Sequence, residues 1–100
     1  MKYYSLNKQA AVVDFAMATV LGQAPDKGLY FPETIPQVSK ELIENIDNYS
    51  NEAIALEIIS PYIGDTIPKA ELERIVNETV NFEIPLVKIT DNISSLELFH

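Results

Sequence analysis

The spacing of apolar and polar positions changes rhythm several times along the chain, and each change marks an element. Lys2–Leu6, with two tyrosines in five residues, reads as a short N-terminal strand. The run Asp14-Phe15-Ala16-Met17-Ala18-Thr19-Val20-Leu21 is rich in helix formers. Asp14 is placed to cap its start and Gly22 to end it in a left-handed conformation, which predicts a helix over 14–21. Ala24-Pro25-Asp26-Lys27-Gly28 then combines a fixed φ at proline, an aspartate that bonds nearby amides, and a glycine to accept positive φ. It reads as an ordered turn delivering the extended segment Leu29-Tyr30-Phe31-Pro32.

Three further helices follow. Ser39 caps one in which Leu42, Ile43 and Ile46 line one side. Ser50 caps the next, running to about residue 60; Ile54, Leu56, Ile58 and Ile59 surround most of its axis, so it is expected to be the most buried. Pro68 opens the last, whose Leu72, Ile75, Val76, Thr79 and Val80 follow the 3, 4, 7, 8 spacing of an amphipathic helix. Beyond Pro85 the period becomes that of strands: Leu86–Thr90, the turn Asp91-Asn92, then Ile93–Phe99. With a two-residue loop Val87 should oppose Leu96, placing Val87, Ile89, Leu96 and Leu98 on one face and Leu86 and Glu97 on the other. The fold class is therefore α+β, a small helical domain with a short N-terminal strand and a C-terminal β-hairpin.

Charge narrows the partners. Seven basic residues against 15 acidic give a net charge of −8, which repels phosphate backbones and anionic lipid, so neither nucleic acid nor a membrane surface is expected. Cysteine is absent, which removes disulfides and thiolate metal sites. Met1–Leu6 lacks the apolar core of a signal peptide and no apolar run approaches a membrane span, so a cytoplasmic setting is expected.

Chemistry-bearing side chains are sparse. His100 is the one histidine, too little for a zinc site or a nucleophile–base–acid triad. Glu41 and Glu44, and Glu71, Glu73 and Glu78, lack the loop spacing of a calcium site and fall on solvated helix faces. Asp26-Lys27-Gly28 could cradle an anion, yet three glycines in the whole chain make no phosphate-binding loop, and the turn reads first as structural. Tyr3, Tyr4, Tyr30 and Phe31 are interleaved with apolar residues, the usual pattern of core aromatics. The residues by themselves assemble no active site.

Two stretches carry a family resemblance. Tyr4-Ser5, then Gly22 and Ala24-Pro25-Asp26-Lys27-Gly28-Leu29-Tyr30-Phe31-Pro32, resemble the opening of threonine synthases, G-L-A-x-D-G-G-L-Y/F-x-P. Gln23 and Lys27 stand where that pattern has a leucine and a glycine, and the lysine argues against a bare backbone at residue 27 that must approach a ligand. Near the other end Phe82, Pro85-Leu86-Val87 and Leu96-Glu97-Leu98-Phe99-His100 resemble the segment entering the H-G-P-T-x-x-F-K-D motif, of which His100 is the first residue. Ile63-Gly64-Asp65 and Ile67-Pro68 match in register between them.

The resemblance implies the N-terminal part of a larger α/β, fold-type-II pyridoxal-phosphate enzyme that converts O-phospho-L-homoserine and water into L-threonine and phosphate. On that reading residues 1–82 are the N-terminal domain and 83–100 are hairpin strands leading into the catalytic domain. The Schiff-base lysine lies downstream of His100, so the fragment holds no catalytic, cofactor-binding or metal-binding residue and is non-catalytic alone. Its partners are the rest of the same polypeptide and, in the parent, a small-molecule substrate. Asp26, Lys27, Tyr30 and His100 become candidates for the substrate entrance. An apolar run at residues 96–100 reads as a truncation, leaving patches through which the fragment is able to self-associate. The competing class is a stand-alone acidic protein-interaction module, motivated by the charge and the aromatic turn.

Overall fold

The computed structural model describes residues 1–98; Phe99 and His100 lie outside the described residues. Strand β1 (Lys2–Ser5) is the centre of a three-stranded antiparallel sheet, flanked by β2 (Val13–Asp14) and β3 (Tyr30–Pro32). Tyr3 opposes Val13 on one side and Pro32 on the other. Pro32 is tolerated because β3 is an edge. Strand β2, two residues long, gives no periodicity for a sequence reading to find.

Helix α1 (Phe15–Leu21) follows β2 directly. The Asp14 carboxylate accepts from the Met17 amide at 2.8 Å, and Gly22, at φ 67°, closes the helix with its amide on the Ala18 carbonyl. Helix α2 (Lys40–Glu44) is capped by Ser39, whose hydroxyl accepts from the Leu42 amide at 3.1 Å and donates to Glu57 at 2.6 Å. The expected apolar side shrinks to Leu42. The helix ends at Glu44, a 3-10 turn takes Ile46–Asn48, and Ile43 and Ile46 are exposed.

Helix α3 (Asn51–Ile63) starts at the Ser50 cap as expected but runs past residue 60 through Pro61. Proline there removes one late helical donor, a small loss so near the end. As expected, this helix has the largest share of its residues out of solvent, with Ile54, Ala55 and Leu56 half-buried and Ile63 buried, although the cover is uneven. Within it Ile63 alone is fully buried, while Ile58 and Ile59 remain partly exposed. Helix α4 (Lys69–Thr79) packs antiparallel-fashion beside it through Leu72 and Val76, as the spacing predicts. The core is Ile63, Leu72 and Val76, with Phe15, Ala55, Leu56, Ile67 and Val80 around it. On the outer face Arg74 bonds both Glu71 and Glu78; those two carboxylates hold its guanidinium more firmly protonated than usual.

The hairpin, β4 (Leu86–Thr90) and β5 (Ile93–Leu96), forms a separate two-stranded sheet. Its register corrects the expected one. Thr90 opposes Ile93 as foreseen, but an irregularity between Lys88 and Thr90 takes Ile89 out of the ladder, so Val87 opposes Ser95 and Leu86 opposes Leu96. A one-residue bulge exchanges the two faces. The remainder of the second strand's predicted range, Phe99, lies outside the described residues.

Candidate functional site: the Asp26 turn

The two segments that follow and precede the sheet strands, residues 5–10 and 23–29, are tied together by one carboxylate. Asp26 Oδ2 accepts from the Ser5 hydroxyl in a short hydrogen bond and from the amides of Gln9 and Ala10 at 3.0 Å each. Its Oδ1 accepts from the Gly28 amide at 2.9 Å, the bond of an Asx turn. Four donors fill the acceptor capacity of a carboxylate. Ser5 is wholly buried, and its oxygen in turn accepts from the Lys8 amide at 3.1 Å. The Asn7 side-chain amide donates to the Asp26 carbonyl at 2.9 Å, and the Leu6 amide to the Leu29 carbonyl at 3.0 Å. The donors set the charge state: the Ser5 hydroxyl, followed by the Gly28, Gln9 and Ala10 amides, holds the Asp26 carboxyl below its ordinary value, against an opposing push from partial burial.

The backbone is arranged for this contact. Lys27 takes the left-handed conformation at φ 68°, so the residue that needs positive φ is the lysine, not Gly28 as the sequence implies. Gly28 is required for a different reason. A Cβ there would sit 3.0 Å from the Asn7 amide nitrogen, Ser5 Oγ and Asp26 Oδ1, in the middle of the knot. Lys8, at φ 57°, makes the equivalent left-handed step in the facing loop.

Of the predicted entrance residues, Asp26 lies half-buried at the centre of the knot, the Lys27 side chain is exposed, and Tyr30 is half-buried on the edge strand. His100 lies outside the described residues. Ser5 enters the sequence reading only through the Tyr4-Ser5 resemblance and is given no role there as a partner of the turn. Charge is partitioned around this site. Residues 1–32 carry three lysines and two aspartates, whereas 33–100 carry thirteen acidic residues against four basic ones. Both aspartates of the first segment keep their charge while bonded, Asp14 as a cap and Asp26 in the knot, so three lysines against two carboxylates leave its side chains a small positive excess.

The residues present do not fit pyridoxal phosphate. The cluster of amides that would suit a phosphate is already filled by Asp26, which would repel one. The six lysines all lie exposed, with no enclosed pocket around any amine to hold the cofactor ring. Among the described residues no group of three acidic or histidine side chains could hold a metal ion, and no helix is long and apolar enough to cross a membrane. A groove of about 210 Å³ between residues 36–39 and α3 shares no residue with the turn and is lined mainly by apolar side chains.

The sheet, the tied loops and the helical arm thus define a small α+β structural domain whose polar centre binds its own backbone. Comparison with known proteins gives it a family: residues 2–80 match the threonine synthase N terminus, and the chain belongs to that family. It is 33% identical over its whole length to the threonine synthase of Serratia marcescens, covering 23% of that protein. It superposes over its whole length on the crystal structure of Escherichia coli threonine synthase, with a TM-score of 0.88 and 33% identity, and on the pyridoxal-phosphate-bound threonine synthase of Brucella melitensis, with 0.89 and 39%. In each case it spans 23% of the solved chain. The chain therefore corresponds to about a quarter of the relatives it matches.

Proposed function

We propose that this chain serves as the N-terminal domain of a threonine synthase. Together with a catalytic body corresponding to the other three-quarters of the relatives, it supports conversion of O-phospho-L-homoserine and water into L-threonine and phosphate in the cytoplasm. The observation that carries this reading is the superposition of the whole chain on two threonine synthase structures at TM-scores of 0.88 and 0.89. The pyridoxal phosphate belongs to the catalytic body in this reading, because no lysine of the chain is desolvated. The domain itself carries out no bond-making step. Its division into a folded unit over 1–82 and hairpin strands over 83–100 is supported by the separate sheet of the hairpin and by a family match that stops at residue 80.

The turn borders the substrate entrance in this proposal, with the work divided among its residues. Asp26 is a positioning residue, since its carboxylate is occupied by four donors. Lys27 and Tyr30 are the groups that meet the substrate's approach, the exposed ammonium attracting a phosphate-bearing anion in a segment where lysines are in excess. His100 joins them as the first residue of the motif that leads to the cofactor lysine.

The experiment is a chimera in which His100 is followed by the remaining three-quarters of Escherichia coli threonine synthase, assayed for phosphate release from O-phospho-L-homoserine. Turnover by the chimera and none by the chain alone is expected. A chimera that folds and binds pyridoxal phosphate but stays inactive overturns the assignment. Within it, Lys27→Ala should raise KM and leave kcat nearly unchanged; an unaltered KM removes the entrance role.

A further inference from the structure

The groove between residues 36–39 and α3 lies apart from the turn, and one side-chain bond ties its two walls. Ser39 Oγ, at the start of α2, donates to Glu57 Oε1 on α3 at 2.6 Å. Pro36 on one wall and Pro61 on the other restrict the backbone, so the groove of about 210 Å³ is shaped before anything enters it. Its sides are apolar yet open to water: Val38 is 44% and Ile58 43% exposed, with Pro61 beside them. Glu57 is the one charged residue of the lining.

Glu57 brings two acceptors to this place. Its Oε1 holds Ser39, and among the described residues no cation pairs with the carboxylate. The four basic residues beyond residue 32 are committed elsewhere: Lys40 to Glu44, Lys69 to Glu73, Arg74 to Glu71 and Glu78, and Lys88 to Asp91. The second acceptor is the Glu57 carbonyl. Proline has no amide hydrogen, so Pro61 leaves that carbonyl without the donor that the next turn of helix would supply.

A carboxylate oxygen and a freed carbonyl at the edge of an apolar groove suit a group with several N–H donors on an apolar stem. Lysine is such a group, with three ammonium donors and a chain that lies along apolar surface while its head stays in water. A free diamine fits less well, because its second ammonium would meet no second carboxylate in the lining. Arginine pairs best with both oxygens of a carboxylate, and here Ser39 occupies one. The wider field agrees: thirteen acidic residues against four basic ones over 33–100 draw a cationic segment toward this part of the chain.

We propose that the groove is a docking site for a lysine side chain presented by a separate, basic protein. The stem lies between Val38, Ile58 and Pro61, and the ammonium meets Glu57 Oε2 and the Glu57 carbonyl. The hairpin, where the chain leads toward the rest of the polypeptide, contributes no residue to the groove, so the partner is assigned in trans. This inference stands apart from the enzyme assignment.

The test titrates the isotope-labelled chain with N-acetyl-lysine N-methylamide and follows amide chemical shifts. Saturable shifts at Gln37, Val38, Ile58 and Tyr62 are expected. Methylammonium, the head without the stem, and the norleucine analogue, the stem without the head, should each bind about fivefold more weakly or less tightly still. Glu57→Gln keeps an acceptor for Ser39 and removes the charge, so affinity for the lysine compound should fall about fivefold with melting unchanged. Glu83→Gln removes the same charge away from the groove and should change nothing. Ile58→Ser, at a partly exposed position, should weaken the lysine compound and spare methylammonium. No shift, equal binding of methylammonium, or equal losses at Glu57 and Glu83 would reduce the effect to a diffuse counterion cloud and overturn the site. The same titration of the chimera described above separates the sources of lysine. Retained binding is expected; a groove closed because the catalytic body fills it overturns the assignment to a separate protein. Turnover by the chimera, which tests the enzyme assignment, enters neither outcome.

Discussion

The hydroxyl of Tyr3 donates to the main-chain carbonyl of Tyr62 at 2.7 Å, joining the first strand to the last turn of α3 across 59 residues. That carbonyl is one of the four at a helix C-terminus without an intrahelical donor. The Tyr3 ring, nearly buried, packs tilted against Phe15 with centroids 6.1 Å apart. Tyr3→Phe keeps the ring and orphans the carbonyl, so a loss of about 1–2 kcal/mol is expected in urea unfolding. An unchanged midpoint would mean that water replaces the hydroxyl at no cost. Burial first, and Tyr62 second, raise the Tyr3 phenol above its usual pKa. The unfolded chain therefore ionises first, and the stability held below about pH 10 falls as pH rises through the folded value. The variant should lose this alkaline slope.

Asp26 predicts the opposite limb. Its folded pKa is depressed by the Ser5 hydroxyl and the three amides. The contribution is present above the unfolded carboxylate value of about 3.9 and lost as pH falls through the lower folded value. Asp26→Asn should flatten the acid limb of a stability–pH profile and speed hydrogen exchange at the Gln9, Ala10 and Gly28 amides, since an amide group presents donors to some of them. Exchange unchanged at all three would remove the carboxylate as the tie between the loops.

Positions 27 and 28 should respond in opposite directions. Lys27 stands at φ 68°, where a residue with a Cβ is strained by about 1–3 kcal/mol and glycine adds about 0.5–1 kcal/mol of unfolded-state entropy. Lys27→Gly is expected to be net stabilising in thermal melts. Gly28→Ala drives a methyl against three atoms at 3.0 Å and should cost about 1–3 kcal/mol. Equal effects at the two positions would contradict the assignment of conformational freedom to one and close approach to the other.

Leu72 is the test of the small core. It is buried between Ile63 and Val76, and Leu72→Ala should cost about 2–5 kcal/mol, enough to leave a chain with so few buried side chains partly unfolded at room temperature. Ile43→Ala, at an exposed position of α2, should change the denaturation midpoint little. Equal losses at both would place the core elsewhere.

Much of the fold was legible where a cap or a period carries it. Asp14, Ser39 and Ser50 cap the helices they were expected to cap, and Leu72 and Val76 face inward as the spacing of α4 requires. The unevenness of α3's burial was not legible, because an all-round apolar helix says nothing about how many neighbours the same chain provides; Ile58 borders the groove against residues 36–39 and is 43% exposed, and Ile59 is 37% exposed. The hairpin register failed for a local reason: one residue leaves the ladder at Ile89, and no residue type at that position announces it. In the turn, the sequence pointed to Asp26 and Gly28 but could not supply Ser5, whose part depends on a strand pairing that brings residues 5 and 26 together.

The long reach of these ties also orders events in time. Ser5 meets Asp26 across 21 residues and Tyr3 meets Tyr62 across 59, so each contact waits on loop closure that helix formation does not require. On a ribosome β1 precedes both of its partners, pairing with β3 when that strand appears and acquiring its Tyr62 anchor only at the end of α3. The strand is thus made well before it is locked, and its tyrosines stay uncovered during that interval.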